Sequence, residues 1–227
     1  MSIELIVLDD ERAAAERAGQ FLAEAARKGG HIALSGGKSP EIAHERAAHA
    51  EPDWSRVELW WGDERCVPPD DENSNFGMAK RTLLDNIAVP PSAVHRIRGE
   101  LDPAQAAAEY DTALDGVHLA LNVLGIGPDG HTASLFPEAP GLHERERLAI
   151  AAEPALDPKV TRVTMTPPML CAADVVLFLV TGESKAEAAA RAFAGPESTA
   201  TPASLIRSRG GRTVGVLDRP AAALLEI

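Results

Sequence analysis

Short apolar runs alternate with segments of helical period along this chain. Residues 3–8 form an apolar run of strand length, and residues 10–28 follow with helical periodicity until Gly29-Gly30 stops them. His31-Ile32-Ala33-Leu34 reads as a second buried strand that ends in Ser35-Gly36-Gly37. A helix is then expected, with Ser39 as its N-cap and Pro40 at the first helical position. A third strand over 57–61 runs into Gly62-Asp63-Glu64-Arg65. A helix over about 74–86, a short strand at 94–97 and a helix over 103–114 come next. The best central-strand candidate, 118–126, closes in Gly125-Ile126-Gly127-Pro128-Asp129-Gly130. Strands are predicted at 148–152, 162–165, 174–180 and 212–217, with a helix over 183–193.

This alternation calls for an α/β fold, a Rossmann-like three-layer sandwich with a mainly parallel sheet and helices on both faces. Such sheets bind ligands beyond the carboxyl ends of their strands, where the strand order reverses. Proline-containing stretches at 67–72, 89–92 and 195–202 read as surface connections, and no linker divides the chain. Residues 1–227 are therefore expected to form a single α/β domain.

Composition adds exclusions. With 45% hydrophobic and 25% charged residues the chain has ordinary globular usage, which argues against disorder. The longest apolar run, 175–180, falls far short of the ~18 residues that suggest a membrane span. The first residues, Met1-Ser2-Ile3-Glu4, lack a basic segment, so no signal peptide is expected. Two cysteines, Cys66 and Cys171, cannot build a disulfide framework, and a reducing, cytoplasmic setting is expected. There are 34 acidic and 22 basic residues, a net charge of -12, which repels nucleic acid and anionic membranes. The expected partner is a small molecule, and the protein a monomer or small homo-oligomer. If that molecule is an anion, local cations and backbone N–H groups must attract it against the global field.

Four strand ends carry the chemistry. In Ser35-Gly36-Gly37-Lys38-Ser39-Pro40, two glycines permit close backbone approach and a helix N-terminus offers free N–H groups, the elements of a phosphate cradle. A Walker loop would need glycine where Ile32 stands. In Gly62-Asp63-Glu64-Arg65, a strand end places a carboxylate and a guanidinium where they could orient and clamp an anion. Gly127-Pro128-Asp129-Gly130-His131 puts a histidine, with Asp129 two residues away, at an expected loop-to-helix junction, where it suits a general base. In Thr181-Gly182-Glu183-Ser184-Lys185, a lysine sits in the first helical turn, a mildly unfavourable place that a bound anion would reverse. Taken singly, the glycine turn and Lys185 read equally well as a tight turn and a solvated charge, the charged triplet reads more readily as exposed surface, and the histidine loop reads as functional; their position at four strand ends favours a ligand site. His44 and His49 mimic a zinc motif, but five residues on a helix turn them about 140° apart, so they cannot share a metal. No metal and no cofactor are expected.

These motifs, with Arg162-Val163-Thr164-Met165-Thr166 and the later Pro202-Ala203-Ser204-Leu205, resemble the 6-phosphogluconolactonase family from about residue 5 to 218. The most specific stretch is Asp129-Gly130-His131-Thr132-Ala133-Ser134-Leu135-Phe136-Pro137. The resemblance implies a metal-free hydrolase of the oxidative pentose phosphate pathway that opens 6-phospho-D-glucono-1,5-lactone. It implies His131 as the base that activates water and Arg65 beside the oxyanion, with Asp63 and Asp129 orienting the cations and the histidine. Ser35, Gly36, Gly37, Lys38, Ser39, Gly127, Gly130, Arg162 and Lys185 are then expected to bind the substrate and its phosphate. A related deaminase of glucosamine 6-phosphate shares the glycine turn, the acidic strand end and Asp-Gly-His. It places a glutamate where Phe136 stands here and an aromatic residue where Arg65 stands. A non-catalytic sugar-phosphate module on this scaffold should lack the histidine that this chain retains.

Overall fold

A computed structural model of the chain describes residues 3–153 and 159–226; Met1 and Ser2, in the segment without a signal-peptide pattern, lie outside the described residues. The strands are β1 (Ile3–Leu8), β2 (Gly30–Leu34), β3 (Val57–Trp61), β4 (Asp63–Arg65), β5 (Leu119–Leu124), β6 (Ala149–Ala152), β7 (Arg162–Met165), β8 (Val175–Val180) and β9 (Arg212–Asp218). The helices are α1 (Glu11–Lys28), α2 (Lys38–Ala50), α3 (Asn75–Thr82), α4 (Pro103–Ala113), α5 (Pro167–Leu170) and α6 (Ala186–Phe193).

Six strands form one sheet in the order β1-β9-β8-β5-β2-β3, and every pairing in it is parallel. The central strands β5, apolar but for Asn122, and β8 are almost wholly buried, as strands covered on both faces must be. From β2 the chain proceeds to β3 on one side, and from β5 to β8 and β9 on the other. The order thus reverses between β2 and β5, so the crevice opens beyond Leu34 and Leu124.

Local chemistry explains how the covering helices start and stop. The Asp10 side chain accepts from Ala13 N to cap α1, whose last turn carries Arg27 and Lys28, and Gly29 ends it at φ 82°. α1 lies against α2 and strands β1, β2, β5, β8 and β9. A Cβ at Gly19 would stand 2.6 Å from Ala43 O, so glycine sets how closely α1 and α2 approach.

Several elements depart from the expected pattern. The helix after β2 begins at Lys38, capped by Gly37 at φ 112°, so Ser39 is inside it and Pro40 is not its first residue. The predicted strand at 94–97 reduces to a single bridge, Leu59 to Val94, with His95 N donating to Leu59 O at 2.8 Å. β6 and β7 do not join the parallel sheet; with β4 they make a separate antiparallel sheet in the order β4-β7-β6. Gly62 is the pivot, donating back to Leu34 O at 3.0 Å and accepting from Met165 N at 2.8 Å. The 74–86 helix breaks into α3 and a 3₁₀ turn, Leu84–Asn86. Lys185 lies in a separate 3₁₀ turn, Glu183–Lys185, ahead of α6. Among the described residues no helix is long and apolar enough to cross a membrane.

Candidate active site at the strand ends

Segments from all four predicted strand ends line one cleft of about 280 Å³. The turn after β2 contributes Ser35, Gly36 and Gly37, β4 contributes Asp63 and Arg65, and Lys185 enters from beyond β8. Gly125, Ile126, Gly127 and His131 line the side beyond β5, and Arg162 of β7 completes the cation cluster.

Three consecutive charged residues after a buried strand would ordinarily point to water, yet Asp63 and Glu64 are buried. Glu64 accepts hydrogen bonds from the backbone N–H groups of Arg65, Asn75 and Phe76 and from Ser74 Oγ. Burial pushes its carboxyl above the ordinary range against the pull of those donors. It is thereby the anchor for the start of α3. That anchor delivers Asn75 to the cleft, a residue the motifs did not single out. Its Nδ2 donates to Asp63 O at 2.8 Å, and its Oδ1 accepts from Arg65 Nη1 at 2.6 Å. A Cβ at Gly36 would overlap the same amide, which explains the glycine there.

Arg65 and Arg162 are register partners across β4 and β7. The Arg162 guanidinium sits 5.4 Å from the Phe136 ring centroid. Burial lowers its pKa, Asp63 raises it and Arg65 lowers it further. Two guanidiniums and the Asp63 carboxylate thus line one cleft, a set of groups with the chemistry to take an anion. Asp63 also accepts from Ser134 Oγ at 2.6 Å; among the described residues it reaches the histidine loop through this serine and makes no hydrogen bond to the imidazole.

His131 is held from its own loop. Asp129 Oδ1 accepts from His131 N at 3.1 Å and lies 2.6 Å from His131 Nδ1. Burial pushes the Asp129 carboxyl up, and its bonds from the His131 side chain and backbone more than offset this, holding it below the usual range. A carboxylate has no proton to give, so Nδ1 carries the hydrogen of this bond, and Nε2 is the ring nitrogen that Asp129 does not engage. A Cβ at Gly127 would overlap the imidazole, while Gly127 N donates to His131 O at 2.8 Å. Gly130, at φ 97°, closes the turn and packs on Thr201, outside the cleft lining. No helix follows His131, contrary to the expected junction: a Thr132–Leu135 bridge tightens the chain, with Ala133 at φ 49°.

Lys185 is half-buried; desolvation lowers its pKa and Asp129 raises it. Lys38 lies outside the lining, 82% exposed and 3.9 Å from Glu11. Ser39 also lies outside: its Oγ meets Glu11 Oε1 at 2.9 Å and Thr181 Oγ1 at 2.7 Å, tying α2 to the end of β8. Among the described residues no cluster of three or more His, Cys, Asp or Glu side chains could hold a metal. For Asn75 the only sequence signal was its place beside Ser74 at a helix start; nothing linked it to Arg65.

The chain is thus an open, parallel-sheet α/β protein whose cleft at the switch point carries one imidazole and three cationic side chains. The chain belongs to the family described as glucosamine-6-phosphate isomerases/6-phosphogluconolactonase, whose model matches residues 9–215. It is 36% identical to a 6-phosphogluconolactonase of Streptomyces coelicolor, covering 98% of this chain and 94% of that one. It is 37% identical to the 6-phosphogluconolactonase of Homo sapiens, covering 86% and 81% respectively. The crystal structure of the devB protein superposes with a TM-score of 0.87 at 32% identity, covering 98% of this chain and 99% of that one.

Proposed function

We propose that this chain, acting as one domain, hydrolyses 6-phospho-D-glucono-1,5-lactone to 6-phospho-D-gluconate, the lactone-opening step of the oxidative pentose phosphate pathway, with His131 as general base. Relatives named 6-phosphogluconolactonase across most of the chain length support the substrate. The observation that carries the mechanism is His131 held through Nδ1 by Asp129 while lining one cleft with Arg65, Arg162 and Lys185.

In this reading Nε2 takes a proton from water as the oxygen attacks the lactone carbonyl. Arg65 stabilises the oxyanion of the tetrahedral intermediate. Collapse breaks the bond from the carbonyl carbon to the ring oxygen, which takes the proton back from the imidazolium. Lys185 and the Ser35–Gly37 turn hold the phosphate, with Arg162 as a further cation. A positioned base is worth about 10²–10⁴-fold and an oxyanion donor about 10²–10³-fold. A lactone is an activated ester, so these two contributions suffice, and a remote phosphate supplies orientation. Phe136, 5.1 Å from the imidazole between ring centroids, brings no second proton-transfer group of the kind the deaminase reading needs.

The test presents freshly generated 6-phosphogluconolactone and, separately, glucosamine 6-phosphate to wild-type protein and to His131→Ala. Acid release from the lactone without ammonia release from the amino sugar is expected. The variant should keep its far-UV spectrum and lose about 10²–10⁴-fold in kcat. Undiminished turnover by His131→Ala would remove the imidazole from the mechanism, and ammonia release would move the chain to the deaminase reaction.

A further inference from the structure

We infer that Asn75 is a positioning residue that fixes the Arg65 guanidinium for the reaction; the inference rests on the role given to Arg65 above. Asn75 is only 3% exposed and uses both ends of its amide, accepting from Arg65 Nη1 and donating to Asp63 O. A side-chain amide is suited to this because it accepts and donates at one planar group. Its third contact is the bare face of Gly36. One side chain thus joins three segments of the cleft: the turn after β2, the strand β4 and the start of α3.

The amide is not what holds α3 in place. Glu64 takes the first N–H groups of that helix, and Ser74 Oγ accepts from Gly77 N as its cap. Among the described residues the Arg65 guanidinium makes two hydrogen bonds, to Asn73 O and Asn75 Oδ1, both through Nη1. They hold the guanidinium from one corner, and Nη2 makes no hydrogen bond among the described residues. Without the amide, only the Asn73 carbonyl sets that orientation, and misplacement by about 1 Å at a reacting centre costs on the order of 10²-fold.

A double-mutant cycle on the full chain separates this role from a structural one. The variants are Asn75→Ala, Arg65→Ala and the pair, assayed for kcat and KM on 6-phosphogluconolactone. Asn75→Ser, which keeps a hydroxyl at the site, runs in parallel so that the result does not hinge on the alanine variant folding. Asn75→Ala is expected to lower kcat about 10–100-fold with KM within about threefold. In the Arg65→Ala background the same change should cost less than about twofold, because the group it positions is gone. An equal loss of kcat in both backgrounds, or no loss in either, would overturn the positioning role. Wild-type kcat in Arg65→Ala alone would instead overturn the role of Arg65, and the inference with it.

Discussion

His44 shows how a single side chain records its surroundings. It is buried on α2 with Nδ1 3.2 Å from Thr82 Oγ1, and desolvation lowers its pKa to about 4. In the unfolded chain the same group titrates near 6.5, so the unfolded state takes the proton first as pH falls. Stability linked to His44 is therefore fully present above about pH 6.5 and is lost progressively towards pH 4, by about 3 kcal/mol. Urea midpoints measured at pH 7 and pH 4.5 should fall further in the wild type than in His44→Leu; identical slopes would show that the residue is not held neutral by burial. The sequence made half of this readable. Five-residue spacing puts His44 and His49 on different faces, and indeed His49 is exposed, but periodicity says nothing of the depth at which His44 sits. The same limit applies at Glu64: its place in a charged triplet suggested surface, and only the tertiary donors from Ser74, Asn75 and Phe76 explain why it is inside.

At the scale of elements, strand ends were the most readable feature, because a buried apolar run and a glycine-rich stop are both local. Antiparallel pairing of β4 with β7 was not, since its partners lie about a hundred residues apart and neither alternates clearly. The turns themselves are shaped by what rests on them. Gly127 has an ordinary φ yet no room for a Cβ, because the His131 imidazole occupies that space. Gly127→Ala is accordingly expected to fold, to lose about 1–3 kcal/mol through overpacking, and to lose on the order of 10²-fold in kcat by moving the imidazole. Gly210→Ala is the control, since no atom lies within 4 Å of the added carbon and φ is not positive; both properties should stay near wild type. Matching kinetics for the two variants would mean that the ring is free to move aside without consequence.

For the whole molecule the question is how a chain of net charge -12 retains a phosphorylated substrate. Screening settles much of it: at about 0.1 M salt the Debye length is about 10 Å, so distant acidic residues contribute little inside the cleft. The cations drawn there from β4, β7 and the turn before α6 therefore decide the local field. Binding to the folded state alone stabilises it by about 2.7 kcal/mol when ligand stands at 100 times its Kd. For a domain of this size that is a rise of about 5–10 °C in Tm. Saturating 6-phosphogluconate should raise the melting temperature by that amount, while gluconate at the same concentration, lacking the anionic tail, should raise it much less. Lys185→Ala should bring the two ligands closer together by weakening only the phosphorylated one. Equal shifts from both ligands in the wild type would mean that the cluster does not grip phosphate at all, and an undiminished difference in Lys185→Ala would place the grip on the arginines and the glycine turn.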